Sequence, residues 1–144
     1  MYDVNTQRID QVLNHMQGSI GLLQKLNERG AEAVLADEVA VAAMERALHL
    51  AIEAVIDVGN LLIDGFIMRD PGSYADIVEI LRDEQVIDEE QAQQLTKATE
   101  FRRHLVIEYT SVPVSDMFHL VAEVLDSFRQ FEPAVRAYLE KELF

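Results

Sequence analysis

Apolar residues recur along this chain at helical spacing from near its start to its end, with almost no period-two alternation. Ile9, Val12, Leu13, Met16, Ile20, Leu23 and Leu26 share one helical face. They predict a first helix over about Thr6–Arg29, stopped at Gly30. A second helix is predicted from near Asp37 to about Phe66. Leu48, Ile52, Val55, Gly59, Leu62 and Phe66 form one of its apolar faces, and Ala54, Val58 and Leu61 form another. Between them runs a polar stripe, Glu53, Asp57, Asn60 and Asp64, at spacings of four, three and four. A helix apolar on most sides is buried on most sides. Carboxylates buried with it need partners or take up a proton.

A third helix is expected after Pro71-Gly72, with Ser73 and Asp76 in the S-x-x-D form of a capping box, and it closes near Glu84. A fourth opens with Asp88 as N-cap and Gln91 at N3, and runs through Arg102–Tyr109 until Pro113 stops it. A fifth starts near Ser115, and Pro133 either kinks it or divides off a last helix over Pro133–Leu143. The pattern predicts one all-α domain over residues 1–144, a bundle of about five helices. Two long antiparallel helices, the second and fourth, are expected side by side at its centre. The second helix carries more apolar surface than one small bundle buries. Val58 and Leu61 are therefore expected at the interface of a homodimer.

Composition narrows the function. Apolar residues make up 49% and charged residues 26%, which is globular rather than disordered. The net charge of −14 disfavours broad nucleic-acid binding, DNA included, because phosphate contacts need a basic face. A local basic site can still touch RNA. The chain has no cysteine, so disulfides and thiolate metal sites are excluded. No charged-then-apolar leader precedes the first polar residues, and no apolar run approaches the ~20 residues that span a bilayer. The expected location is the cytoplasm, with no membrane contact.

Against that acidic background, TEFRRHLVIEYTSV, Thr99–Val112, is the best candidate for a working surface. Arg102 and Arg103 are adjacent, on a chain with 12 Lys+Arg against 26 Asp+Glu, and His104 follows. Tyr109 lies seven residues after Arg102, which on a continuous helix returns nearly to the same face. A plainer reading puts Arg103 and His104 on a wet face and makes Arg102 a structural partner of Asp57. The acidic stripe has three readings of its own: a metal site, a solvated face, or an ion-pair partner for Arg102 or Arg103. No E-x-x-H pair completes a di-metal bundle site, so no metal or cofactor is expected. His15 and His49 read as surface or edge residues, and His119 falls near the start of the fifth helix. Phosphate-loop, G-x-S-x-G and H-E-x-x-H motifs are absent. Arg69, beside a helix start, is a weak anion-site candidate.

Three blocks in order resemble a known family: ALHLAIEAVIDVGNLLI (Ala47–Ile63), DPGSYADIVEILRDEQVID (Asp70–Asp88) and ATEFRRHLVIEYTSV (Ala98–Val112). Together they look like the HepT-like branch of the HEPN superfamily, the toxin half of toxin–antitoxin pairs. The resemblance covers roughly Ala47 to Leu125. It implies an all-α homodimer that cleaves RNA without metal in a cleft between protomers. It also implies a minimal nucleotidyltransferase as antitoxin, able to attach AMP to a signature tyrosine. The family signature is an Arg, a His four to six residues later, and a Tyr two residues after the His. Arg102 and Tyr109 match the first and last positions, and Ile107 stands at the His position.

This substitution bears on mechanism. Metal-free RNA cleavage needs a base for the 2′-OH proton and an acid for the leaving oxygen, roles that suit histidine and not isoleucine. Arginine stabilises phosphorane charge but is a poor proton shuttle. Two hypotheses follow. One is a HepT-like endoribonuclease, weakened or inactive because Ile107 replaces the histidine, with Arg102 stabilising the transition state and His104 or His119 as an unorthodox base. The other is a non-catalytic homodimeric module that docks a minimal nucleotidyltransferase or a nucleotide, with Tyr109 as a modification site.

Overall fold

The computed structural model describes residues 2–144, and every regular element among them is helical. The elements are α1 (Thr6–Arg29), α2 (Ala31–Leu35), α3 (Glu38–Gly65), α4 (Tyr74–Asp83), α5 (Glu89–Glu100), α6 (Arg102–Val106), a 3₁₀ turn (Tyr109–Ser111) and α7 (Val114–Leu143).

Capping side chains set most of the helix starts. Asn5 Oδ1 accepts from the Arg8 N–H at 3.1 Å, and Asp37 Oδ1 accepts from Val39 and Ala40 at 3.0 and 3.3 Å. Gly30, at φ +87°, ends α1 and turns directly into the short α2, which the periodicity did not anticipate. Asp88 and Gln91 form the expected reciprocal capping box of α5. At α4 only half of the expected box forms. Ser73 Oγ accepts from the Asp76 N–H at 3.0 Å, but the Asp76 carboxylate accepts from the Gly72 N–H at 2.9 Å and twice from Arg69 at 2.8 Å.

The central pairing differs from expectation. The long antiparallel partner of α3 is α1, while α5 meets α3 only slightly. The direction follows from the contacts: Arg29 near the end of α1 pairs with Asp37 at the start of α3 (3.2 Å), and Val4 packs against Gly65 at the far end. α7 lies along α1, with Arg136 bridging Asp10 at 2.9 Å and Asn14 at 3.2 Å. The α4–α5 pair covers another side of α3, where Gly59 lets Ile77 and Leu81 approach closely. Local periodicity shows which faces are apolar but not which apolar face meets which.

Two other departures concern helix ends. Pro133 does not divide off a last helix, for α7 runs through it from Val114 to Leu143. Pro133 is exposed, so the carbonyl it deprives of a donor lies on the wet side. Buried Phe128, Phe131, Val135 and Leu139 hold both flanks. The fourth helix, in contrast, is not continuous. It stops at Glu100, bends at buried Phe101, resumes for five residues as α6, and ends at Val106. Arg102 and Tyr109 are therefore not on one helical face. Beyond Phe101 the segment fully buries no residue; its β-branched Val106, Ile107 and Thr110 favour helix weakly, and only Leu105 and Val112 pack partly on the core.

Val58 is wholly buried in the protomer's own core, and Leu61 is half-buried against it. Val58 is thus unavailable to a subunit interface. No helix among the described residues is long and apolar enough to cross a membrane.

Candidate functional site

α6 and the bend before it set one wall of an open surface groove of about 630 Å³; the start of α4 sets another. Arg102, Arg103, His104 and Ile107 line it from one side, Ser73 and Tyr74 from the other. Phe101 is the anchor. Its ring is buried, and the His104 ring stacks on it in a tilted arrangement at 4.9 Å between centroids.

Arg102 is the best-held member. Its Nε donates to Glu53 Oε1 on α3 at 2.5 Å, and its guanidinium carbon lies 4.7 Å from the centre of the Tyr74 ring. The Glu53 hydrogen bond raises the Arg102 pKa above its already high ordinary value, so the charge is permanent. The same Glu53 oxygen lies 3.4 Å from His49 Nε2, one helical turn back on α3, and Arg46 Nη1 lies 3.5 Å from His49 Nδ1.

The expected Asp57 pair is thus corrected. The direct partner of Arg102 is Glu53, one turn earlier, because α6 crosses α3 at that level. Asp57 is exposed and bonds neither arginine. Desolvation and the charge of Glu53 raise its pKa, while Arg8 and Arg102 pull the other way at longer range. Asn60 and Asp64 are exposed too, so beyond Glu53 the stripe is a solvated face. Arg103 makes only a loose, exposed contact with Glu108 at 3.6 Å.

The remaining candidates separate clearly. Ile107 is 71% exposed at the groove, and Tyr109 is 68% exposed on the following 3₁₀ turn. His119 is exposed, with Nδ1 2.7 Å from the Ser115 carbonyl on its own helix. His15 is exposed on α1. Arg69 is no open anion site, since Asp76 holds it through two hydrogen bonds and Asp83 lies 3.7 Å away. Among the described residues no three His, Asp or Glu side chains converge as a metal site would require.

Reasoning from sequence missed His49, Tyr74 and the choice of Glu53. The His49–Glu53 spacing of four was a readable signal, since it stacks the two on one helix face. Nothing in the sequence placed Tyr74 beside Arg102, because that contact joins elements far apart along the chain.

The protein is thus an all-α bundle whose carboxylate-anchored arginine faces an open groove. A family profile described as Ribonuclease HepT-like matches residues 16–135, and the chain belongs to this HepT-like HEPN family. Bacillus subtilis (strain 168) YutE, provisionally assigned as an RNase, is 35% identical over 143 residues, which is 99% of this chain and 95% of YutE. The solved structure of YutE, described as a cytosolic protein of unknown function, superposes with a TM-score of 0.89 over 99% of this chain and 96% of that one. A tri-AMPylated Shewanella oneidensis HEPN toxin, solved in complex with its MNT antitoxin, shares the fold at a TM-score of 0.79 and 22% identity, over 90% of this chain and 96% of that one.

Proposed function

We propose that this protein is the RNA-directed, toxin-side member of a HepT-like pair: a metal-independent endoribonuclease weakened at its signature position. One observation carries the reading. Arg102, His104 and Ile107 line a single groove, with Arg102 fixed by Glu53 and Tyr74 and Ile107 exposed where the family keeps histidine. A fixed, permanently charged guanidinium at an open groove suits a phosphodiester and stabilises the charge that develops on it. Isoleucine at 107 supplies neither base nor acid, and loss of such a group typically lowers rate by about 10²–10⁴. The protein works in the cytoplasm as a homodimer, with the groove open towards the second copy. No cofactor is required.

Incubation with RNA in excess chelator tests this. Wild type cleaves slowly, Ile107→His raises the rate, and Arg102→Ala on that background removes the gain. Strong wild-type cleavage that survives Arg102→Ala would put the site elsewhere.

A second reading is favoured by Tyr109, whose side chain is 68% exposed and free to be reached by another protein. Here the protein is a docking partner for a minimal nucleotidyltransferase, which transfers AMP to the Tyr109 hydroxyl. Intact-mass measurement after incubation with such an enzyme and ATP distinguishes the two, with Tyr109→Phe as control.

A further inference from the structure

We propose that His49 is the acid–base group of this site and supplies the imidazole that position 107 lacks. The inference rests on the ribonuclease reading above. Among the described residues, His49 is the imidazole that shares a carboxylate oxygen with Arg102. Glu53 Oε1 accepts from Arg102 Nε at 2.5 Å and faces His49 Nε2 at 3.4 Å. A carboxylate at Nε2 fixes the proton there and leaves Nδ1 as the basic nitrogen, which at rest faces the Arg46 guanidinium. Arg46 Nη1, 3.5 Å from Nδ1, is held loosely enough to turn to an incoming phosphate. The His49 side chain is 27% exposed and lies outside the groove lining, joined to it through the Glu53 oxygen it shares with Arg102.

The other imidazoles are less well placed. His104 is stacked on Phe101, His119 is turned to its own helix backbone, and His15, although it borders a cleft with Glu53 and Asp57, makes no hydrogen bond or ion pair with Glu53. A His–Glu pair four residues apart is common on helices and by itself contributes only a few tenths of a kcal/mol. What sets this pair apart is that an arginine from another element closes onto the same oxygen, at the site where the usual histidine is missing.

In the cleavage step His49 Nδ1 takes the proton of a ribose 2′-OH. The 2′-oxygen bonds to the adjacent phosphorus and the P–O5′ bond breaks. The imidazolium returns its proton through solvent to the 5′-oxygen, leaving a 2′,3′-cyclic phosphate and a 5′-hydroxyl. Arg102 holds the phosphoryl charge, and Glu53 is a positioning residue. The charged groups next to His49 are Arg46 and Glu53 of α3, with Arg102 of α6 on the same Glu53 oxygen.

The test uses the full chain, a 5′-fluorescent single-stranded RNA of mixed sequence and excess chelator. His49→Ala is expected to lower cleavage by about 100-fold or more, with RNA affinity by anisotropy unchanged within about threefold. His15→Ala is expected to cleave like wild type. Glu53→Gln is expected to lower kcat with KM little changed, because the carboxylate that orients the imidazole is gone. A merely structural role would leave kcat in place. If His49→Ala cleaves at the wild-type rate, or if His104→Ala carries the loss instead, the inference is overturned and the ribonuclease reading stands. If wild type is silent but Ile107→His cleaves, His49 is likewise excluded. If both are silent, the ribonuclease reading itself fails.

Discussion

α3 and the segment from α6 to the 3₁₀ turn are built in opposite ways. α3 buries 14 of its 28 residues, begins at a well-made cap and meets neighbours on several sides. The segment from α6 to the 3₁₀ turn buries none, lacks a side-chain cap and carries Arg103, Ile107 and Tyr109 towards solvent. Regular helix persists where burial supports it and breaks where only local propensity is left. The groove residues Arg102, Arg103, His104 and Ile107 gather on the broken side, and Arg102 connects the two through Glu53. Rigidity at the site is thus borrowed from the scaffold.

The largest effects are expected on the scaffold side of this contrast. Phe131 on α7 is fully buried, and Phe131→Ala is expected to cost about 3–5 kcal/mol in chemical denaturation. A value near zero would mean that α7 is not part of the core. Gly59→Ala is expected to cost about 1–3 kcal/mol, since a Cβ there collides with the Ile77 methyl on α4. If it stabilises instead, α4 packs less closely on α3 than this contact requires.

The start of α4 stands between the two regions, because it lies at the groove yet is capped. Ser73→Ala is expected to cost about 0.5–2 kcal/mol. Beside it, the hydrogen bonds from Arg69 and then Gly72 hold the Asp76 pKa at about 2, against 3.8 ordinarily. A carboxylate with a lowered folded-state pKa stabilises above the ordinary value, and that contribution fades as pH falls from 3.8 towards about 2. Asp76→Asn should flatten the acid limb of the melting-temperature profile in that window. An unchanged limb would mean the Arg69 contact does not persist in solution.

The smallest effects belong to the exposed positions. Ile107→His and Tyr109→Phe should change stability by no more than about 0.5 kcal/mol, whatever they do to activity. A larger loss would show that the strip is packed against something. Asp57→Asn should be neutral or slightly stabilising at pH 7, within about 0.5 kcal/mol, because the raised pKa marks an ionised form the fold mildly disfavours and solvent screens most of it. A loss of several kcal/mol would restore the buried ion pair that the stripe first suggested.

Much of this protein is legible in its amino-acid sequence. The all-α class, the bounds of α1 and α3 and the cap at Asp88 all follow from periodicity and cap chemistry. These are local properties, set within a few turns of helix. Packing between helices settled the rest. It chose α1 rather than the fourth helix as the long partner of α3, and Glu53 rather than Asp57 as the partner of Arg102. It also brought Tyr74 and His49 to the site. Each of these depends on where one helix crosses another. A displacement of one turn, about 5.4 Å along α3, exchanges one carboxylate for the next without altering the hydrophobic pattern. Periodicity therefore specifies the face and leaves the level along it to packing, and at this site the level determines which histidine stands beside the arginine.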